Sequence, residues 1–168
     1  MVNQKNYILS EKEASMKIQR MAYEIAEHNF SEEARPLILA GIRDNGVVIA
    51  EALKKVLAVI YPADVKVIEI SLDKRTPREI VLSETIDFNG KTVIVVDDVA
   101  NSGKTMLYAL KPFLNDHPAS IQTLALVERT HKAYPVHTDY VGISLSTTLQ
   151  EHIFVEVEGD RVTGAYLQ

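Results

Sequence analysis

The stretch Thr92-Val93-Ile94-Val95-Val96-Asp97-Asp98-Val99-Ala100-Asn101-Ser102-Gly103-Lys104-Thr105 decides how this chain is read. Thr92 to Val96 is an unbroken β-branched run, the composition of a strand covered on both faces in a parallel sheet. Two carboxylates, Asp97 and Asp98, stand at its carboxyl end. Small residues then turn the chain, and a helix is predicted over Thr105 to Leu114. In open α/β sheets, ligands sit outside the carboxyl ends of the strands. A turn entering a helix presents successive backbone N–H groups where the helix dipole favours an anion. Ser102 and Thr105 add hydroxyl donors, and Gly103 removes a side chain that would block close approach. One loop thus joins a phosphate cradle to a pair of acids able to hold diol hydroxyls or a hydrated cation.

Outward from this stretch the pattern alternates. Ser10-Glu11-Lys12-Glu13 is a capping box, and Ala14, Ile18, Met21, Ala22 and Ile25 recur at helical spacing, so residues 10–29 read as an amphipathic helix. Pro36 to Ile42 reads as a buried strand. Asn45-Gly46 turns the chain into a second helix with Ile49, Leu53, Val56, Leu57 and Ile60 on one face. Val65 to Ser71 reads as a strand, residues 72–91 as a loop with a short strand at Ile80 to Leu82, and Ile121 to Val127 as another buried strand. His152 to Glu158 and Arg161 to Leu167 flank Gly159-Asp160, a two-residue hairpin signal. The expected fold is an α/β domain with a mostly parallel central sheet, flanked by helices and carrying a small C-terminal hairpin. No linker or repeat divides it, so residues 1–168 are expected to form one domain.

Composition narrows the function. At 168 residues, 46% of them hydrophobic and 24% charged, the chain can bury a substantial core. It has no cysteine, which excludes disulfides and thiolate chemistry. The start, Met1-Val2-Asn3-Gln4-Lys5, does not resemble a signal peptide, and no apolar run approaches the ~20 residues needed to span a bilayer. The expected location is the cytoplasm, with no membrane partner. The net charge of −5 and the scatter of basic residues argue against RNA as the main partner, since a polyanion binder usually carries a basic face. Five histidines are too dispersed to suggest a metal site.

Gly103-Lys104-Thr105 also matches the end of a nucleotide-triphosphate loop, GxxxxGK[ST]. That pattern needs glycine where Asp98 stands, and a carboxylate there would repel the phosphates. Residues 93–105 resemble instead the signature of the type I phosphoribosyltransferases: four apolar residues, two acids and a small-residue loop, with Ser102 where threonine is usual. The resemblance implies that Asp97 and Asp98, as the catalytic acids, contact the ribose hydroxyls of phosphoribosyl pyrophosphate. It places the 5′-phosphate on the loop, with Val99, Ala100, Asn101, Ser102, Gly103, Lys104 and Thr105 as the substrate-binding segment. No residue is expected to ligate Mg²⁺ directly. The ion would come with the substrate, touching Asp97 and Asp98 through water.

Further segments resemble one branch of that family, the pyrimidine-operon attenuators that also act as uracil phosphoribosyltransferases. Leu39-Ala40-Gly41-Ile42-Arg43-Asp44-Asn45-Gly46 lies where the branch has its pyrophosphate loop, implying roles for Arg43 and Asp44. Val127-Glu128-Arg129-Thr130-His131, then Pro135 and Asp139-Tyr140-Val141-Gly142, resemble its base-binding hood, implying that the base stacks near Val99 and Ala100 and reads backbone groups from Val127 to Arg129. The expected reaction transfers ribose 5-phosphate to a nucleobase, uracil first among them, in a homodimer or higher homo-oligomer. The departures are specific. Asp44-Asn45 replaces a Thr-Arg pair, Thr130 replaces glycine, and the 72–91 loop is several residues shorter, leaving Lys74, Arg75 and Arg78 to meet pyrophosphate. An RNA-binding regulator and a catalytically weak sensor of phosphoribosyl pyrophosphate remain the alternatives.

Overall fold

The computed structural model describes residues 5–148 and 150–168. Its main sheet has six strands in the order β4-β3-β2-β5-β6-β7. These are β2 (Leu37–Ile42), β3 (Val65–Ser71), β4 (Val81–Leu82), β5 (Thr92–Ala100), β6 (Ser120–Arg129) and β7 (Tyr140–Leu145). All neighbours pair in parallel except β4, which runs antiparallel to β3 at the edge. Every residue of β2 is buried, and so are the first six of β5, as continuous apolar strands in a doubly covered sheet require.

Helices α1 (Glu11–His28) and α2 (Asn45–Ile60) cover one face of the sheet. The capping box forms as expected: Glu13 N donates to Ser10 Oγ at 3.3 Å, and Ser10 N donates to Glu13 Oε2 at 2.8 Å. Ala14, Ile18, Met21, Ala22 and Ile25 are all buried along the predicted face. Helix α2 begins at Asn45 itself, so Asn45-Gly46 is its first turn rather than a turn preceding it. It lies close against β5, because a Cβ on Gly46 would come 2.6 Å from the Val96 carbonyl oxygen. The opposite face is covered by α3 (Lys104–Ala109) and a 3₁₀ turn over Lys111–Asn115, with Phe113 buried edge-on to Phe88 at 4.9 Å. The single helix expected over 105–114 is therefore broken. Pro112 has no N–H to give a carbonyl four residues back, so the α-helix stops before it.

A second, antiparallel sheet of order β1-β9-β8 closes over one end of the main sheet. The expected hairpin supplies β8 (Ile153–Glu158) and β9 (Arg161–Leu167), with Gly159 at φ 62° in its turn. The third strand, β1 (Asn6–Ser10), was not expected. It pairs with β9 across almost the full length of the chain, Asn6 opposite Leu167 and Ser10 opposite Gly164. No helix among the described residues is long and apolar enough to cross a membrane.

Candidate active site

Strand β5 carries the centre of the site. It continues beyond the acids to Ala100, where a turn was expected, because Val99 and Ala100 still pair with Val127 and Glu128 of β6. Asp97 and Asp98 therefore sit on fixed backbone. Asp97 is 2% exposed, and its Oδ1 accepts the Asp98 amide at 2.9 Å. Asp98 accepts from Val99 N at 2.8 Å through Oδ1 and from Asn45 Nδ2 at 2.8 Å through Oδ2. The same Asn45 amide group donates to the Val155 carbonyl at 3.0 Å. One side chain thus ties the start of α2 to an acid and to the small sheet.

Burial, reinforced by the adjacent Asp98 carboxylate, pushes the Asp97 carboxyl up to about 8 despite the opposing charge of Lys74. At neutral pH Asp97 holds its proton, and the two neighbouring acids stand in different roles. Lys74 Nζ lies 3.5 Å from Asp97 Oδ1 and 3.8 Å from Asp98 Oδ1. Partial burial works against the ammonium, but Asp97 and Asp98 outweigh it and raise its pKa.

The loop after the acids encloses one side of a cavity of about 340 Å³. Its walls include Asp97 to Met106 on β5, the loop and α3, with Lys74 and Ile153 opposite. Gly103, at φ 82°, has no room for a side chain: a Cβ would meet Val136 Cγ1 at 2.8 Å. Ser102 Oγ accepts from Lys104 N at 3.3 Å, and the Ser102 carbonyl accepts from Ala133 N and Tyr134 N at 3.0 and 3.1 Å. The segment after β6 thereby braces the loop from behind. Lys104 Nζ reaches across to the Arg75 carbonyl at 3.2 Å.

Asp97, Asp98, residues 99–105 and the anticipated Lys74 are thus gathered around one cavity, while Arg43, Asp44, Val127 and Arg129 are not part of its wall. Arg43 and Asp44 lie on the bend between β2 and α2, their side chains 66% and 86% exposed. Asp44 has φ 69° and ψ −110° and makes no capping hydrogen bond with its side chain. Val127 is wholly buried between β5 and β7, so its side chain is unavailable to a ligand. Arg129 Nη2 donates to the Glu151 carbonyl at 2.6 Å, which turns that side chain toward the segment before β8. Two features escaped the sequence reading: the bridging role of Asn45 and the wall formed by Ile153. Asn45 was visible only as a turn residue and as a departure from a loop pattern, and nothing local marks Ile153.

Among the described residues no cluster of three or more His, Cys, Asp or Glu could hold a metal. Two hard carboxylates with waters and substrate oxygens do suit Mg²⁺, which seldom uses an all-protein cage. A glycine-bearing loop at the carboxyl edge of a parallel sheet, beside paired acids and with a small second sheet nearby, is the arrangement of a phosphoribosyltransferase. Residues 5–159 match the family model for the phosphoribosyl transferase domain, and the chain belongs to that family as a pentosyltransferase. Within the family it is similar to the bifunctional protein PyrR of several bacteria. It is 36% identical to that of Streptococcus thermophilus over 84% of this chain and 86% of the relative. It is 33% identical to that of Clostridioides difficile over 94% and 95%. Among solved structures the fold matches a hypoxanthine-guanine phosphoribosyltransferase from Bacillus anthracis with a TM-score of 0.75, at 19% identity over 96% of both chains. It also matches the hypoxanthine phosphoribosyltransferase of Trypanosoma cruzi bound to IMP, with a TM-score of 0.70 at 21% identity over 84% of this chain and 76% of that one.

Proposed function

We propose that this chain, acting as a single domain, binds phosphoribosyl pyrophosphate and transfers its ribose 5-phosphate to a ring nitrogen of a nucleobase, with uracil the first candidate, releasing pyrophosphate. The observation that carries this reading is the meeting of Asp97, Asp98 and the 100–105 loop around one cavity. Backbone N–H groups of the loop would take the 5′-phosphate, and the acids would take the ribose hydroxyls at the other end of the same sugar. Holding the sugar at both ends fixes its anomeric carbon, and positioning of that kind supplies much of the rate when charge develops across a breaking bond. Mg²⁺, when bound with the substrate, would neutralise the pyrophosphate, with Asp97 and Asp98 meeting it through water. Because Asp97 retains a proton at neutral pH, it can donate to a hydroxyl while Asp98 accepts.

The choice of uracil rests on the resemblance to the PyrR relatives and not on the cavity. Turnover of labelled phosphoribosyl pyrophosphate against a panel of pyrimidine and purine bases tests the proposal. Transfer to any base supports it, and transfer to uracil above the others supports the finer reading. Consumption with no base accepted would overturn it. The exposed carboxylate of Asp44, whose charge acts on Lys74 at the cavity wall, favours a second reading, a weak enzyme that serves as a sensor of the same ligand. Tight binding combined with negligible turnover would select it.

A further inference from the structure

The groups that would meet substrate under the proposed function already hold one another, and a single short loop makes the connection. After β3 the chain folds back at Asp73. Its Oδ1 accepts from Arg75 N at 2.8 Å and Thr76 N at 3.4 Å, and its Oδ2 accepts from Thr76 Oγ1 at 3.1 Å. These bonds hold the Asp73 carboxyl below the usual carboxylate range. They also fix a tight turn with Lys74 at its inner side. From there the Lys74 ammonium reaches between the acids, to 3.5 Å from Asp97 and 3.8 Å from Asp98, while its side chain keeps 53% exposure. The neighbouring carbonyl, that of Arg75, is held by Lys104 Nζ from the opposite wall at 3.2 Å.

The loop around Lys74 is therefore fastened twice, each time to a group with a second use. One fastening occupies the carboxylate oxygens suited to a sugar diol or a hydrated cation. The other occupies the only ammonium on the proposed phosphate loop, residues 100–105. The pair is not a structural ion pair of the core, because one partner is half in solvent and exposed pairs contribute little to stability.

Resting on the proposed function, we infer that Lys74 is an exchangeable counter-ion of the acid pair. A ligand bearing both a vicinal diol and a phosphate displaces it from Asp97 and Asp98, draws Lys104 from Arg75, and so frees the loop to carry the Lys74 charge toward the pyrophosphate. Because burial keeps Asp97 protonated at neutral pH, a neutral diol can take the ammonium's place without leaving two charged carboxylates side by side. The positive charge that balanced them becomes available on the leaving-group side only once the sugar is seated.

Pulsed acetylation of lysines, read peptide by peptide by mass spectrometry with the exposed Lys12 as internal reference, tests this. In the protein alone, Lys74 should react more slowly than Lys12. Replacing Asp97→Asn and Asp98→Asn together, or Asp98→Asn alone, should speed Lys74 by roughly two- to fivefold, the range a half-exposed ion pair supplies. Ribose 5-phosphate, which has the diol and the phosphate but no pyrophosphate, should speed Lys74 similarly in the unaltered protein. Phosphoribosyl pyrophosphate with Mg²⁺ should not, because the pyrophosphate takes the amine. Two outcomes overturn the exchange while leaving the proposed function standing: ribose 5-phosphate that binds by calorimetry but leaves the Lys74 rate unchanged, or asparagine variants that label Lys74 no faster. Ribose 5-phosphate that fails to bind would overturn the exchange, which takes the diol and phosphate as sufficient, and failure of phosphoribosyl pyrophosphate with Mg²⁺ to bind as well would overturn the proposed function.

Discussion

Asp97 carries a cost that the fold bears for the sake of the site. Its carboxyl titrates near 8 in the folded protein against 3.8 ordinarily, so between those values the folded chain binds a proton that the unfolded chain has lost. Stability from this residue is full below about pH 4 and declines as pH rises toward 8, after which the loss levels off. Asp97→Asn should therefore raise the melting temperature in metal-free buffer, more at pH 8 than at pH 4, by an amount corresponding to a few kcal/mol at most. A difference independent of pH would show that Asp97 is ionised throughout. Asp44 is the second strained residue. Its φ of 69° and ψ of −110° belong to glycine, and its side chain makes no cap. Asp44→Gly should stabilise the protein by about 1 kcal/mol in denaturant unfolding, since backbone strain of this kind costs on the order of 1–3 kcal/mol and glycine's greater freedom when unfolded offsets part of the gain. Under the proposed function it should also quicken turnover, because a carboxylate near a departing pyrophosphate would oppose the developing charge. A less stable variant would mean that Asp44 makes a contact worth more than its strain.

At the scale of elements, the contact between α2 and β5 is the one with least tolerance. A methyl on Gly46 would lie 2.6 Å from the Val96 carbonyl oxygen and 3.5 Å from Asp97 Cα, both backbone atoms that cannot yield. Gly46→Ala should cost about 1–3 kcal/mol in chemical denaturation and shift the acids with the strand that bears them. If thermal unfolding is unchanged, the helix has more play against the sheet than this spacing allows. Asn45, one residue earlier, links α2, Asp98 and β8. Asn45→Ala should weaken phosphoribosyl pyrophosphate binding in calorimetry by several-fold while the main sheet stays intact by circular dichroism. The elements themselves were largely legible in the residues. The β-branched run of β5, the capping box of α1 and the Gly159-Asp160 turn each act locally, so a local pattern reveals them. What was not legible depended on distant partners or on one interrupting residue. Pro112 cuts α3 short, and the five residues of β1 have no signal beyond their partner, more than 150 positions away. The same divide holds for the site: its acids and loop share one stretch of sequence and Lys74 was named from the neighbouring loop, whereas Ile153 reaches the cavity, and Asn45 reaches Asp98, only through the fold.

For the molecule as a whole, the two sheets differ in how their strands are separated along the chain. The main sheet is built from strands close in sequence, but the small one joins residues 6–10 to 161–167. Long closures of this sort are slow to form, and strands of a small three-membered sheet open more readily than those of a fully buried one. Hydrogen exchange in mild denaturant should release the amides of Ile8 and Leu9 by a partial opening well before those of Val95 and Leu124. Simultaneous release would make the molecule one cooperative unit. The pairing of β1 with β9 also sets the order in which a working protein can be assembled on the ribosome. Residues 6–10 must wait, unpartnered, until residues 164–167 have been synthesised. By then the acids and the phosphate loop have long left the exit tunnel, yet Ile153, which walls the cavity, and Val155, which anchors Asn45, come only with the closing hairpin. A growing chain can thus hold the chemistry of the site without its roof, and synthesis has to pass Val155 before the pocket is enclosed.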